Sequence, residues 1–256
     1  MVDLSRPWPL GLGEKRWWIT VAVALVLLGV ALAFDRQLSL AAQALPQPVR
    51  DFLAQLTPYG ESGWILIPAG ILYIVTALVT LLVRWKLMRT VLWQFAALYA
   101  FIFLGVGLPS LFTTLLKRIG RGRPMHFDDG GVLGFHPNTF DWTYQSFPSG
   151  HATTAFALAA VIGFLSERWF YPMLVAASLI ALSRLTLGVH YPTDVIAGAI
   201  IGLAGAYAVR LVFAGWGWMF DRRPDGRIVA RPMSSLKRYL TLKRRGSAPK
   251  PQPDRP

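Results

Sequence analysis

A series of apolar runs, each long enough to cross a bilayer, limits what this chain can fold into more than any other feature. A hydrocarbon core of about 30 Å takes about 20 helical residues. Runs of that order cover roughly Trp17 to Phe34, Ser62 to Val83 and Thr90 to Leu116. Three more follow a polar interval, at roughly Gly150 to Leu165, Trp169 to Leu187 and Thr193 to Trp218. None shows the strict alternation of a membrane β-barrel. With 54% hydrophobic and 15% charged residues, the chain is too apolar for a soluble domain of its length. The expectation is an all-α integral membrane bundle of six helices, one domain over residues 17–218. Residues 1–16 precede it, and a basic tail, residues 219–256, follows.

The first run follows Lys15-Arg16, and Ala42-Gln43-Ala44 resembles a signal-peptide cleavage site. Asp35-Arg36-Gln37 separates the two, and the run exceeds a typical signal core, so a retained first helix is expected. The chain has no cysteine, which removes disulfides and thiolate chemistry.

Loop cations orient such a bundle, because positively charged flanks stay cytoplasmic. Lys15 and Arg16 precede the first helix, and Arg84, Lys86 and Arg89 separate the second from the third. The tail after Trp218 holds eleven Lys and Arg against three Asp. Both termini are therefore expected in the cytoplasm, as in a multi-pass protein of a bacterial inner membrane. The tail would lie on the anionic cytoplasmic leaflet, where each cation contributes about 1 kcal/mol, with a disordered end. No stacking platform or folded module argues for nucleic acid as its partner. Oligomeric state is not readable.

The opposite, periplasmic side then receives three segments: Ser39 to Leu56 within the first connection, Arg118 to Pro148, and Gly188 to Pro192. Ser39 to Leu56 suits a short helix in the outer interface, which either guides a lipid or packs as a connector. Met125 to Phe147, with turn residues and interfacial aromatics, suits a loop cap. His126, His136, Asp128 and Asp129 lack the spacing of a metal site, and none is expected. Gly198 and Gly202 form a small-residue packing face in the sixth helix.

Two of the four histidines sit in segments that phosphoryl chemistry explains. Pro148-Ser149-Gly150-His151 opens a helix, where free backbone N–H groups and the helix dipole favour an anion. Gly150 lets a phosphoryl oxygen approach, and Ser149 can donate its hydroxyl. Ser183-Arg184, then His190 and Asp194, form the second segment. If Asp194 accepts the Nδ1 proton of His190, the other nitrogen is free to attack phosphorus. His151 would protonate the leaving oxygen and later activate water. Lys117, Arg123 and Arg184 would carry the phosphoryl charge, with backbone help from Ser149 and Gly150.

These segments resemble the three motifs of the type 2 phosphatidic acid phosphatase superfamily, which includes vanadium haloperoxidases and glucose-6-phosphatase. The second and third motifs match in full. The first is one residue short between Lys117 and Arg123-Pro124, which in an unbroken helix rotates Lys117 by about 100°. Unwinding at Gly120 could restore its reach; Leu116 occupies the family register, and Arg118 or Arg121 could supply the charge. The resemblance implies cofactor-free hydrolysis of a phosphomonoester or diphosphate through a phosphohistidine. Leu56 to Ser62 and the segment around Phe135, Phe140 and Ser146 are similar to a bacterial branch that includes lipid A phosphatases. Lipid A, undecaprenyl diphosphate and phosphatidylglycerol phosphate are the candidate substrates. A phosphotransferase that uses a lipid hydroxyl as acceptor is the alternative.

Overall fold

The structure, a computed structural model, describes residues 2–126, 131–138, 140–232 and 234–246. Its long helices are α1 (Trp17–Gln43), α3 (Gly63–Leu82), α4 (Lys86–Leu116), α5 (Gly150–Leu165), α6 (Phe170–Thr186) and α7 (Pro192–Gly215). A short α2 (Gln47–Leu56) links the first two. Beyond α7 come an antiparallel hairpin, β1 (Phe220–Arg222) with β2 (Ile228–Ala230), and a final helix α8 (Ser234–Gly246).

Five of the six long helices have the length and apolarity to cross a membrane, whereas α5 has only 16 residues. At 1.5 Å per residue α5 is about 24 Å long. It can be short because protein surrounds it: α4, α6 and α7 pack around it, and Ala152, Ala157, Ala160 and Val161 have no exposed surface. A helix enclosed by its neighbours need not match the bilayer thickness. The contact with α7 is close enough that a Cβ on Gly198 would lie 2.4 Å from Ser149 O, and one on Gly202 2.4 Å from Thr153 O. Small residues permit that approach and so lock the start of α5 against the start of α7. By contrast α1 and α3 turn Leu25, Val26, Ile67 and Leu82 outward, as lipid-facing helices do.

Two sequence expectations change. The polar triplet Asp35-Arg36-Gln37 after Phe34 suggested a helix end, yet α1 runs on to Gln43. Asp35 lies on the buried stripe Ala31, Asp35, Ser39 and Ala42, where its carboxylate is satisfied inside the bundle. The interfacial helix consequently begins at Gln47 rather than Ser39; Leu53 anchors it, and it packs against α6. The packed part of the chain also extends past Trp218. Phe220 and Ile228 of the hairpin join the main core with Leu4, Phe101 and Phe213. Ile228 N–H donates to Ser5 O at 2.7 Å, closing that end of the bundle with the N-terminal segment. Helix α8 returns along α4, with the Tyr239 ring 5.6 Å from that of Trp85. Residues 247–256, expected to be disordered, lie outside the described residues.

Candidate active site

Ser149 caps α5: its Oγ faces Ala152 N–H at 3.5 Å, and the first intrahelical bond runs from Thr153 N to Ser149 O. The N–H groups of Gly150 and His151 therefore precede the hydrogen-bonded ladder, as at any helix start. Ser149 N–H donates to Asp194 O at 3.0 Å, so the anion-attracting start of α5 is tied to the start of α7.

The short first motif is resolved by a helix that stops. Helix α4 ends at Leu116, Lys117–Ile119 form a single 3-10 turn, and Gly120 turns left-handed at φ 77°. The rotation expected of an unbroken helix does not apply beyond Leu116. Lys117 Nζ lies 3.7 Å from where a Cβ on Gly150 would sit, at the mouth of α5. Gly120 is required twice over, by its φ and because a Cβ there would fall 1.8 Å from His136 O. The cap loop pairs back along this segment, with His136 N–H on Gly120 O at 2.7 Å and Ser146 N–H on Arg121 O at 3.0 Å. Residues 127–130 and Thr139 of that loop, including Asp128 and Asp129, lie outside the described residues.

The arginines of this segment divide sharply. Arg121 turns away from the phosphate seat: Nη1 donates to Asp194 Oδ1 and Nη2 to Asp35 Oδ2, both at 2.6 Å. Burial alone would lower its pKa, but the two carboxylates win and raise it. Arg118 stacks on Phe140, 3.6 Å from the ring centroid. Neither stands in for Lys117. Arg123, only 2% exposed, is held by neutral acceptors: Nε on Trp142 O, Nη1 on Val189 O and Nη2 on Gln145 O. Carbonyls orient it without cancelling its charge. Burial and the neighbouring Arg184 push its pKa down to about 10, which leaves it cationic at neutral pH.

Arg184 projects from the end of α6, 8% exposed, with Nη1 3.5 Å from Thr57 Oγ1 and with Nε buried and unpartnered. Arg50 and Arg210 also leave Nε without an acceptor, so the orphan by itself marks nothing; beside His151 and His190 it is a donor that an anionic ligand could take. Thr57 also faces Ser183 Oγ at 2.7 Å, so the turn after α2 braces this arginine. His151 lies within the field of Arg184, His190, Lys117 and Arg123.

His190, 2% exposed, sits in the turn between α6 and α7. Its Nδ1 is 3.6 Å from Asp194 Oδ2, within ion-pair range but beyond a hydrogen bond. Burial, helped by Arg123 and Arg184, pushes the imidazole pKa down to about 4 although the adjacent Asp194 opposes this. The ring is neutral at physiological pH, the state a nucleophile needs. Asp194 is not dedicated to His190, as the four-residue spacing suggested. Its Oδ2 also accepts from Ser146 Oγ at 2.5 Å and Tyr191 N–H at 2.8 Å, and its Oδ1 from Arg121.

The fold thus brings Lys117, Arg123, Ser149, Gly150, His151, Arg184, His190 and Asp194 to one end of the bundle. Sequence reasoning missed Asp35, Thr57, Gly60 and Ser146, and offered Arg121 only as a substitute for the charge of Lys117. Gly60 is the least forgiving of these, because a Cβ there would meet His151 Cδ2 at 2.7 Å and Ile180 Cγ2 at 2.8 Å. Beside it an apolar cavity of about 260 Å³ lies among Leu56, Tyr59, Trp64, Ala155, Met173 and Ile180.

Residues 96–218 match the model of the PAP2 superfamily, the type 2 phosphatidic acid phosphatases. Over 235 residues the chain is 34% identical to a lipid A 1-phosphatase of Rhizobium johnstonii, covering 88% of this chain and 93% of that one. The chain belongs to the PAP2 superfamily. Its motif residues and its relatives make it a membrane phosphatase. A lipid A 4'-phosphatase of Bacteroides thetaiotaomicron is 31% identical over 68% of this chain and 74% of its own length. The crystal structure of a PAP2-type phosphatidylglycerolphosphate phosphatase from Bacillus subtilis superposes with a TM-score of 0.51 at 25% identity, over 77% of this chain and 96% of that one.

Proposed function

We propose that this PAP2 phosphatase removes a phosphate group from a phosphorylated lipid through a phosphohistidine on His190, at the periplasmic face of a bacterial inner membrane. The observation that carries the reading is a neutral, buried His190 backed by Asp194 and faced by an arginine, Arg184, whose buried Nε has no acceptor. A phosphoryl group between them would satisfy that donor. Its oxygens would face Lys117, Arg123 and Arg184 and the free N–H groups at the start of α5, where charge develops in the transition state.

In the first half-reaction His190 Nε2 forms a bond to phosphorus as the bond from phosphorus to the lipid oxygen breaks. His151 gives its proton to that oxygen. In the second, His151 takes a proton from water, the resulting hydroxide attacks the phosphohistidine, and inorganic phosphate leaves with His190 restored. The apolar cavity beside Gly60 suits a substrate whose hydrocarbon remains in the bilayer while its headgroup reaches His151. Similarity to two lipid A phosphatases favours a phosphorylated glycolipid. The sidedness rests on the cations at the other end of the bundle, Arg84, Lys86, Arg89 and the basic helix α8.

Phosphate release by purified protein in EDTA, from lipid A, undecaprenyl diphosphate, phosphatidylglycerol phosphate and phosphatidic acid, tests the reading. Release from lipid A first, with an acid-labile phosphoprotein trapped in parent protein and lost in His190→Ala, is the expected result. A product that forms only with a lipid hydroxyl acceptor would identify a transferase; undiminished turnover in His190→Ala would end the mechanism. Single cysteines introduced into this cysteine-free chain near Asn138 and Tyr239, labelled from outside the cell, check the sidedness.

A further inference from the structure

We propose that Asp35, on the lipid-facing helix α1, is a positioning residue for the reaction: through Arg121 it holds Asp194 and leaves that carboxylate's charge available to His190. The inference rests on the reading of His190 as nucleophile and Asp194 as its orienting carboxylate.

Helix α1 contributes none of the groups assigned to phosphate or to proton transfer. It nevertheless buries a carboxylate completely, at 0% exposure, in the middle of a long apolar helix. A charge so placed is expensive, and its partners show what it serves. Oδ2 accepts from Arg121 Nη2 at 2.6 Å, and Oδ1 accepts from Thr193 N–H at 2.8 Å. Both partners belong to the segments that carry the site: Arg121 lies two residues before Arg123, and Thr193 precedes Asp194. Asp35 therefore pins the first turn of α7 directly and Asp194 indirectly.

Arg121 is fixed at every nitrogen. Nε donates to Val132 O at 3.1 Å, Nη1 and Nη2 hold different carboxylates, and the guanidinium carbon stands 4.3 Å from the Tyr191 ring centroid. A planar fork with all three nitrogens committed sets the orientation of the Asp194 carboxyl, and so the edge that Oδ2 turns to His190.

The second argument is charge. Arg121 alone would cancel Asp194, and no net anion would stand behind His190. With Asp35 the buried trio carries one net negative charge, 3.6 Å from His190 Nδ1 at its nearest oxygen. When Nε2 bonds to phosphorus the imidazole becomes positive, amid Lys117, Arg123 and Arg184. A fixed anion behind the ring stabilises that state in a site of low dielectric. The competing explanation is that the trio only fastens α1 to the bundle. Buried ion pairs are weak sources of net stability, because desolvation offsets attraction. The two explanations separate by experiment.

The test uses the full chain in detergent with the lipid of the panel above that turns over fastest, and compares Asp35→Asn, Asp194→Asn and the double variant per folded molecule. Asp35→Asn is expected to lower kcat about 10²-fold, the cost of a slight misplacement at a reacting centre, with KM changed less than about threefold. In the double variant the Asp35 substitution should add almost nothing, since groups that act as a unit are not additive. Asp35→Asn protein that is folded and turns over normally would overturn the proposal, as would losses that multiply in the double variant. Should Asp35→Asn not fold, Arg121→Lys replaces it. An ammonium keeps the charge but cannot span two carboxylates, so the same kcat loss is expected and unchanged kcat would overturn the proposal. Full activity in Asp194→Asn would instead sink the reading of Asp194 itself, independently of Asp35.

Discussion

At its two ends the bundle buries an arginine in opposite ways. At the site end Arg121 lies between two carboxylates, and its charge is spent in holding Asp194. Towards the other end of α7, about 24 Å from Asp194 by helical rise, Arg210 is equally buried but has no carboxylate in its grip. It donates to the carbonyls of Leu4 and Arg6, and its guanidinium carbon lies 4.2 Å from the Phe164 ring centroid and 4.8 Å from that of Tyr207. In the mechanism proposed above the first arrangement aims a reacting group; the second binds the N-terminal segment to the bundle. Arg123 shows the use of the second arrangement inside a site, because carbonyl acceptors orient a guanidinium and leave its charge for a phosphate. Burial alone therefore does not say what an arginine does: the charge of its partners decides whether its own charge is spent or kept, and its place in the fold decides what a kept charge can serve.

The strongest way to break this comparison is at the site end. His190→Ala should lower turnover by at least about 10³-fold and leave the melting temperature near that of the parent, since a lost nucleophile is among the costliest of single changes. With His190 depressed to about 4, the part of the kcat/KM profile that reports loss of the nucleophile should appear only as the solution passes down through about pH 4 and the ring is protonated, and that limb should be read apart from the titration of the acid His151. The same shift has a consequence for stability. The folded chain binds this proton more weakly than the unfolded chain does, so the contribution is present above the ordinary value of 6.5 and is lost as pH falls from 6.5 towards 4. Calorimetry across that window measures it.

Arg184→Met should cost about 10² to 10³-fold in kcat, the loss seen when one transition-state donor is removed. Gly60→Ala is a milder probe, because its Cβ would displace His151; about a tenfold loss of kcat in a protein that still folds is expected. Arg210→Met sharpens the contrast from the opposite end. It orphans two carbonyls, at about 1–3 kcal/mol each, so thermal unfolding should occur earlier while turnover per folded molecule stays within about twofold. A large kcat loss there would mean that the two ends are coupled.

Much of this arrangement is legible in the sequence. Five of the six long helices followed from run length, and helix-start chemistry and spacing singled out Ser149, Gly150, His151, Arg184, His190 and Asp194, which the fold brings to one end of the bundle. What stayed hidden depended on partners distant in the chain. Asp35 looked like the end of a helix because charge in an apolar run usually stops a span; the informative sign was its place on one stripe with Ala31, Ser39 and Ala42. Arg121 could pass for a substitute for the Lys117 charge because nothing in the local sequence separates it from its neighbour Arg123. Gly60 read as a turn residue, and only the packing of His151 against it gives it another role.

The sequence by itself determined that this chain is a membrane helix bundle with phosphoryl-transfer groups at one end, because hydrophobic length and motif spacing are local properties and the alternation of spans fixes which loops share a side. Tertiary structure decided which cation serves which anion. Arg121, Arg123 and Arg184 acquire different tasks from the carboxylates, carbonyls or histidines that the fold sets around them, since a charge in a low-dielectric interior is governed by neighbours a few ångströms away, whatever their distance along the chain.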